Sequence, residues 1–143
     1  MAIRTATAEW KGDLPSGAGT FEGASGQLGG SYSFESRFTD QGGTNPEELV
    51  AAAQAACYSM QFAHMLAQAG TKADSIKTDA KVQILKVGEG FGITKIDLVT
   101  VGRVPGIDDA AFQSTAQAAK EACLISQALA AVPEITLSAT LES

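Results

Sequence analysis

Two cysteines, Cys57 and Cys123, are the residues of this sequence best suited to covalent chemistry. A thiolate is both a nucleophile and a group that can be oxidised and recovered. Cys57 stands in the stretch NPEELVAAAQAACYSMQFAHMLAQAG, Asn45 to Gly70, and Cys123 ends the stretch AAFQSTAQAAKEAC. Two thiols so far apart fit neither a secreted disulfide scaffold nor a zinc site of paired Cys-x-x-Cys type. In a reducing compartment they are either inert core residues or partners in a transient disulfide. Composition alone favours the inert reading, because free cysteine is among the most buried residue types.

A reactive cysteine in mid-helix lies too far from the helix N-terminus to gain much from its dipole, so it needs a nearby cation. Arg37, in a segment read as a strand, is the best donor in the sequence, although a lone arginine in a strand is more often a solvated surface residue. Glu47, in the first turn of the helix that carries Cys57, suits a helix N-terminus in any case. His64 lies two turns beyond Cys57, about 10 Å along the axis, so it cannot act as base for that thiol within one helix. The same separation argues against a metal site built from Cys57, Cys123, His64 and a carboxylate. His64 reads better as a satisfied core or interface histidine. Glu47, Gln54, Gln61 and Gln68 recur at spacing seven, and at least Gln61 and Gln68 read as a stripe touching water.

The elements that must position these residues follow from periodicity and punctuation. TATAEWKG and SYSFESRF alternate as strands around the glycine-rich SGAGT and GQLGG. In SYSFESRF, Tyr32, Phe34 and Phe38 share one face, and Glu35 and Arg37 take the other. Asn45, Pro46 and Glu48 predict a helix start with a capping box, and Gly70 predicts its stop. TDAKVQILKV and FGITKIDLVTVGRV, separated by GEG, predict a β-hairpin. A helix capped near Asp108 carries AAFQSTAQAAKEAC, a further helical piece covers SQALAAV, and EITLSATLES closes as a strand with Ile135, Leu137, Ala139 and Leu141 on one face. The order is strands, helix, hairpin, helices, strand: an α+β domain, read as a single domain over residues 1–143. Alanines precede each cysteine, and small side chains permit helix backbones to approach within disulfide range.

At 143 residues with a net charge of −6 and no basic run, the chain is ill suited to phosphate backbones, so nucleic acid is excluded as a partner. The run from Leu49 to Thr71 is charge-free but too polar for a membrane span, and MAIRTATAEWKG has no apolar signal region. A cytoplasmic protein without membrane attachment is the expectation.

The segments SRF and GTNPEELVAAAQAAC, followed by an isolated second cysteine, resemble the osmotically inducible protein C / organic hydroperoxide resistance family. VPGI before the second main helix and ITL in the last strand extend the resemblance over essentially the whole chain. The resemblance implies an intertwined homodimer with antiparallel sheets around central helices, active sites at its interface, and no cofactor. It also implies reduction of organic hydroperoxides, with Cys57 attacking the peroxide, Cys123 resolving the sulfenic acid as a disulfide, and an external dithiol of lipoyl type as reductant. Arg37 and Glu47 match the arginine and its paired glutamate, and the type with osmotically inducible protein C is the nearer match. Leu124 stands where the family usually has proline directly after the resolving cysteine. Ten residues separate Glu47 from Cys57, about 15 Å of axial rise, so Glu47 is expected to reach the active site from the partner chain. A non-catalytic dimeric module binding a small apolar ligand, or a redox sensor, remains the alternative.

Overall fold

The protein, in a computed structural model that describes all residues 1–143, contains two three-stranded sheets and four helices. It packs as two compact units, Met1–Leu49 and Val50–Ser143.

In the first unit β1 (Ala6–Lys11), β2 (Ala18–Gly23) and β3 (Gly29–Tyr32) form an antiparallel sheet in sequence order. The strand expected over SYSFESRF ends early, and Phe34–Phe38 is instead a short helix, α1. The reason is local. Ser33 accepts the Ser36 N–H at 3.0 Å while the Ser36 hydroxyl accepts the Ser33 N–H at 2.9 Å, a reciprocal cap that starts a helix. Phe34 and Phe38 share a face at period two, but residues four apart also share a helical face, and their rings meet at 4.9 Å. Arg37 therefore sits in the last turn of a helix rather than on an extended segment.

Helix α2 (Pro46–Gln68) begins in the first unit and continues through the second. Asn45 accepts the Glu48 N–H at 2.8 Å as expected, but the Glu48 carboxylate turns to the Thr44 hydroxyl, so only half of the capping box forms. The helix ends at Gly70, whose φ of 87° is open to glycine, and the Thr71 N–H reaches back to the Leu66 carbonyl at 3.0 Å.

The second unit holds the apolar core. β4 (Ser75–Val87) and β5 (Gly90–Arg103) form the expected hairpin. α3 (Asp109–Ala122) starts at Asp108, whose carboxylate accepts the Ala111 N–H at 2.8 Å; α4 (Leu124–Ala128) and β6 (Glu134–Glu142) follow. β6 runs parallel to β5, so this sheet is mixed rather than antiparallel throughout. The cause is topological: the two helices between β5 and β6 form a crossover, which returns the chain to the end of the sheet where β5 began. The buried core draws Tyr58, Phe62 and Leu66 from α2, Ile96 and Leu98 from β5, and Phe112, Ala116 and Ala119 from α3. Ile135, Leu137, Ala139 and Leu141 of β6 pack against it on one face, as their alternation predicts. Phe62 and Phe112 meet with ring centroids 5.1 Å apart, and a Cβ at Gly102 of β5 would stand 2.6 Å from the Phe112 ring. Aromatic residues of α2, not its alanines, thus make the helix contact with α3. Ala52, Ala53 and Ala56 are exposed. No helix is long and apolar enough to cross a membrane.

Candidate active site

The first unit builds a charged pair. Ser36 donates its hydroxyl to the Thr44 carbonyl at 2.7 Å, and the Asn45 amide donates to the Ser36 carbonyl at 3.1 Å, tying α1 to the start of α2. This tie brings Arg37 against Glu47. Arg37 Nε lies 3.0 and 3.1 Å from the two carboxylate oxygens, and Nη2 also bonds Oε1, a fork that only a planar guanidinium can make. Glu47 is buried, with 7% of its surface exposed, whereas Arg37 keeps part of its side chain open to solvent. Hydrogen bonding to Glu47 raises the already high pKa of Arg37, so the guanidinium is a permanent cation.

The second unit builds a pair of thiols. Cys57 lies half-buried on α2, while Cys123 is completely buried at the junction of α3 and α4. Cys123 is extended (φ −64°, ψ 122°), closing α3 through its N–H to the Ala119 carbonyl at 2.9 Å and opening α4. That kink sets the first residues of α4 beside both thiols: the backbone of Ile125 and Leu124 pulls Cys57 down and that of Ser126 and Ile125 pulls Cys123 down, although the Cys123 side chain makes no capping bond of its own. Both thiols are free, and each shifts the other's pKa.

The environment separates them. Burial pushes the Cys57 thiol up, and the neighbouring Cys123 adds to the rise against the pull of the Ile125 and Leu124 amides. Burial acts on Cys123 as well, but the Ser126 N–H, Cys57, the Ser126 hydroxyl and the Ile125 N–H outweigh it and hold this thiol below its ordinary value. Within the second unit the two thiols are thus pushed in opposite directions, and only the outer one is open to a reagent. Leu124 contributes an N–H that a proline at that position would lack.

The structure thus joins Arg37 to Glu47 and Cys57 to Cys123, each pair inside its own unit. His64, read as a core or interface residue, is exposed in the chain, as is Gln68, while Gln61 is half-buried. Two polar residues beside the thiols escaped the sequence reading. Gln54 is fully buried and donates from Nε2 to the Ser126 hydroxyl at 2.6 Å, leaving its Oε1 without a partner. Their available signal was positional: Gln54 precedes Cys57 by three residues, and Ser126 follows Cys123 by three. Tyr58, next to Cys57, is also buried and donates to the Ala116 carbonyl at 3.0 Å.

Residues 39–138 match the family model described as OsmC-like protein. The chain is 48% identical over 137 residues to the peroxiredoxin OsmC of Escherichia coli (strain K12), covering 95% of this chain and 94% of that one. It is 35% identical over 97 residues to the organic hydroperoxide resistance protein of Xanthomonas axonopodis pv. citri (strain 306), covering 67% of this chain and 66% of the other. The crystal structure of an organic hydroperoxide resistance protein OsmC from Legionella pneumophila matches the fold with a TM-score of 0.73 at 24% identity, over 98% of this chain and 99% of that one.

Proposed function

We propose, since the chain belongs to the OsmC-like protein family, that it is a cysteine-based peroxidase that reduces organic hydroperoxides to alcohols. The observation that carries the reading is a half-buried thiol close enough to a fully buried one, at a neighbouring helix junction, for each to shift the other's pKa. Cys57 Sγ attacks the terminal peroxide oxygen, the O–O bond breaks, and the alkoxide leaves to take up a proton. The product at Cys57 is a sulfenic acid. Cys123 Sγ then displaces its hydroxyl, which departs as water, and forms the Cys57–Cys123 disulfide. An external dithiol, of lipoyl type in this reading, restores both thiols by exchange.

Attack at neutral pH requires negative charge on Cys57, whose thiol burial pushes up. The Arg37 guanidinium, held by Glu47, is the cation assigned to this task. In this reading the chain is a homodimer, and the pair is supplied to Cys57 by the partner copy across the interface. Met60 lies one helical turn beyond Cys57 and Leu124 follows Cys123; at 71% and 72% exposed, they offer an organic tail apolar surface. Hydrogen peroxide has no tail to use it, so bulky apolar hydroperoxides are the preferred substrates. A reducing compartment, the cytoplasm, suits a site that must return to two thiols.

A thiol count before and after one equivalent of an organic hydroperoxide tests the reading. Two thiols should be lost per chain, with the intramolecular disulfide found by mass spectrometry, and Cys57→Ser should turn nothing over with dithiol present. Unchanged thiols, or normal turnover by Cys57→Ser, would sink it.

A further inference from the structure

Gln54 is an odd residue for its place. It is fully buried on α2, where a methionine or leucine would fill the same space, and only one end of its amide is satisfied. A buried polar atom without a partner costs stability, and such atoms in native proteins call for an explanation. Its partner Ser126 is buried as well, and the two are joined over a span from α2 to α4. Because Gln54 Nε2 donates to Ser126 Oγ, the serine proton is left free, and Ser126, one turn after Cys123 at the start of α4, is among the groups that hold the Cys123 thiol down. Turning the amide over would put its oxygen on Ser126, claim that proton, and leave a bare NH2 group.

We propose that Gln54 and Ser126 are positioning residues for Cys123, a hydrogen-bond relay that makes its sulfur the attacking group when the disulfide closes and the departing group when it opens. This rests on the peroxidase reading and extends it to the choice of sulfur. In closure, Cys123 Sγ uses an electron pair to form the S–S bond as the S–O bond of the Cys57 sulfenic acid breaks and hydroxide leaves as water. In opening, one thiolate of the external dithiol attacks Cys57 Sγ, the half-buried sulfur, and the S–S bond breaks with its electron pair going to Cys123 Sγ. Ser126 and the α4 amides receive that charge. The second thiol of the reductant then displaces Cys57, so the dithiol leaves as a cyclic disulfide and two electrons have passed to the protein.

The titratable groups facing Cys123 are Cys57 and Tyr58, both on α2. Burial, together with charge on Cys123, raises the Tyr58 hydroxyl. Its proton is committed to the Ala116 carbonyl. Of the hydroxyls near this sulfur, that of Ser126 is among the groups that lower Cys123, and the Tyr58 proton is spent elsewhere.

The test uses the full-length protein and its Ser126→Ala, Ser126→Thr and Gln54→Leu variants. Sulfenic acid formation and disulfide closure are timed separately in a single turnover with an organic hydroperoxide, using a sulfenic-acid trap to mark the intermediate. Ser126→Ala should slow closure relative to the first step by about tenfold, the scale of one hydrogen bond to a charged group. Gln54→Leu should do so less, and Ser126→Thr should restore closure. In a Cys57→Ser background, thiolate absorbance should show Cys123 ionising about one pH unit higher when Ser126→Ala is added. A parent inert to hydroperoxide would defeat the peroxidase reading, and the Cys123 titration would still judge the relay. If Ser126→Ala does not fold, Gln54→Leu is read alone. Unchanged closure and an unchanged Cys123 titration, with only a lowered melting temperature, would overturn the proposal.

Discussion

The two units are held together by different forces. Every residue of the buried apolar core lies after Val50, whereas the buried side chains before it are polar: Ser36 and Glu47. In the first unit Ile3, Leu14, Leu28 and Phe38 are exposed, and hydrogen bonds and the Arg37–Glu47 ion pair fix the geometry where α1 meets the start of α2. The chemistry divides along the same line, with permanent charge in the polar unit and both thiols in the apolar one. A lone apolar unit raises the pKa of its accessible thiol, and a lone polar unit holds a cation without a nucleophile. The proposed site needs both pairs, and the reading brings them together through a second copy of the chain, as the family resemblance implies.

The sharpest way to break this picture is to separate the pairs between chains. Heterodimers of a Cys57→Ser chain and a Glu47→Ala chain should keep about half the wild-type activity if the pairs meet across an interface, because one site then loses both residues and the other none. Only residual activity would place both pairs within one chain.

The next effect concerns stability. Phe62→Ala removes a fully buried ring that contacts both Tyr58 and Phe112, and should cost about 3–5 kcal/mol in denaturant unfolding. Leu14→Ala in the first unit should stay within about 0.5 kcal/mol. Equal costs would mean that the first unit has an apolar core after all.

Smaller again is the effect of charge on reactivity. Burial raises the Cys57 thiol, so losing a cation leaves less thiolate at neutral pH and moves its reaction to higher pH. Arg37→Met should therefore slow alkylation of Cys57 at pH 7 roughly tenfold, for a shift of about one unit. An unmoved pH–rate profile would assign activation to another group. Smallest is Leu124→Pro, which suits the first position of a helix but deletes the amide that serves Cys57. Cys57 should then titrate slightly higher, by a few tenths of a pH unit on the scale of one weak donor; a downward shift would contradict the role given to that N–H.

Much of the architecture could be read without coordinates, because its signals are local. Asp108 caps α3, Asn45 caps α2, Gly70 ends α2, and GEG turns the hairpin; each depends on the conformational preference of one or two residues. The pairing of Arg37 with Glu47 was anticipated from a family pattern, yet its support was not: Arg37 rides on a helix that Ser33 and Ser36 start by capping one another. Aromatic spacing could not separate the two cases, since Phe34 and Phe38 share a face in a strand and in a helix alike.

By itself the sequence determined most element types, several of their ends, the apolar face of the last strand and the residue types available for thiol chemistry, since these follow from preferences acting within a few positions; α1, read as a strand, is the exception. Tertiary structure alone decided that β6 lies parallel to β5, because strand direction depends on how a crossover closes. It alone placed Cys123 beneath Cys57 at a helix junction. It alone also turned Gln54, a residue with the look of a wet stripe, inward onto Ser126. Which of two thiols is open and which is covered depends on burial between distant segments, and no local preference in the chain contains that information.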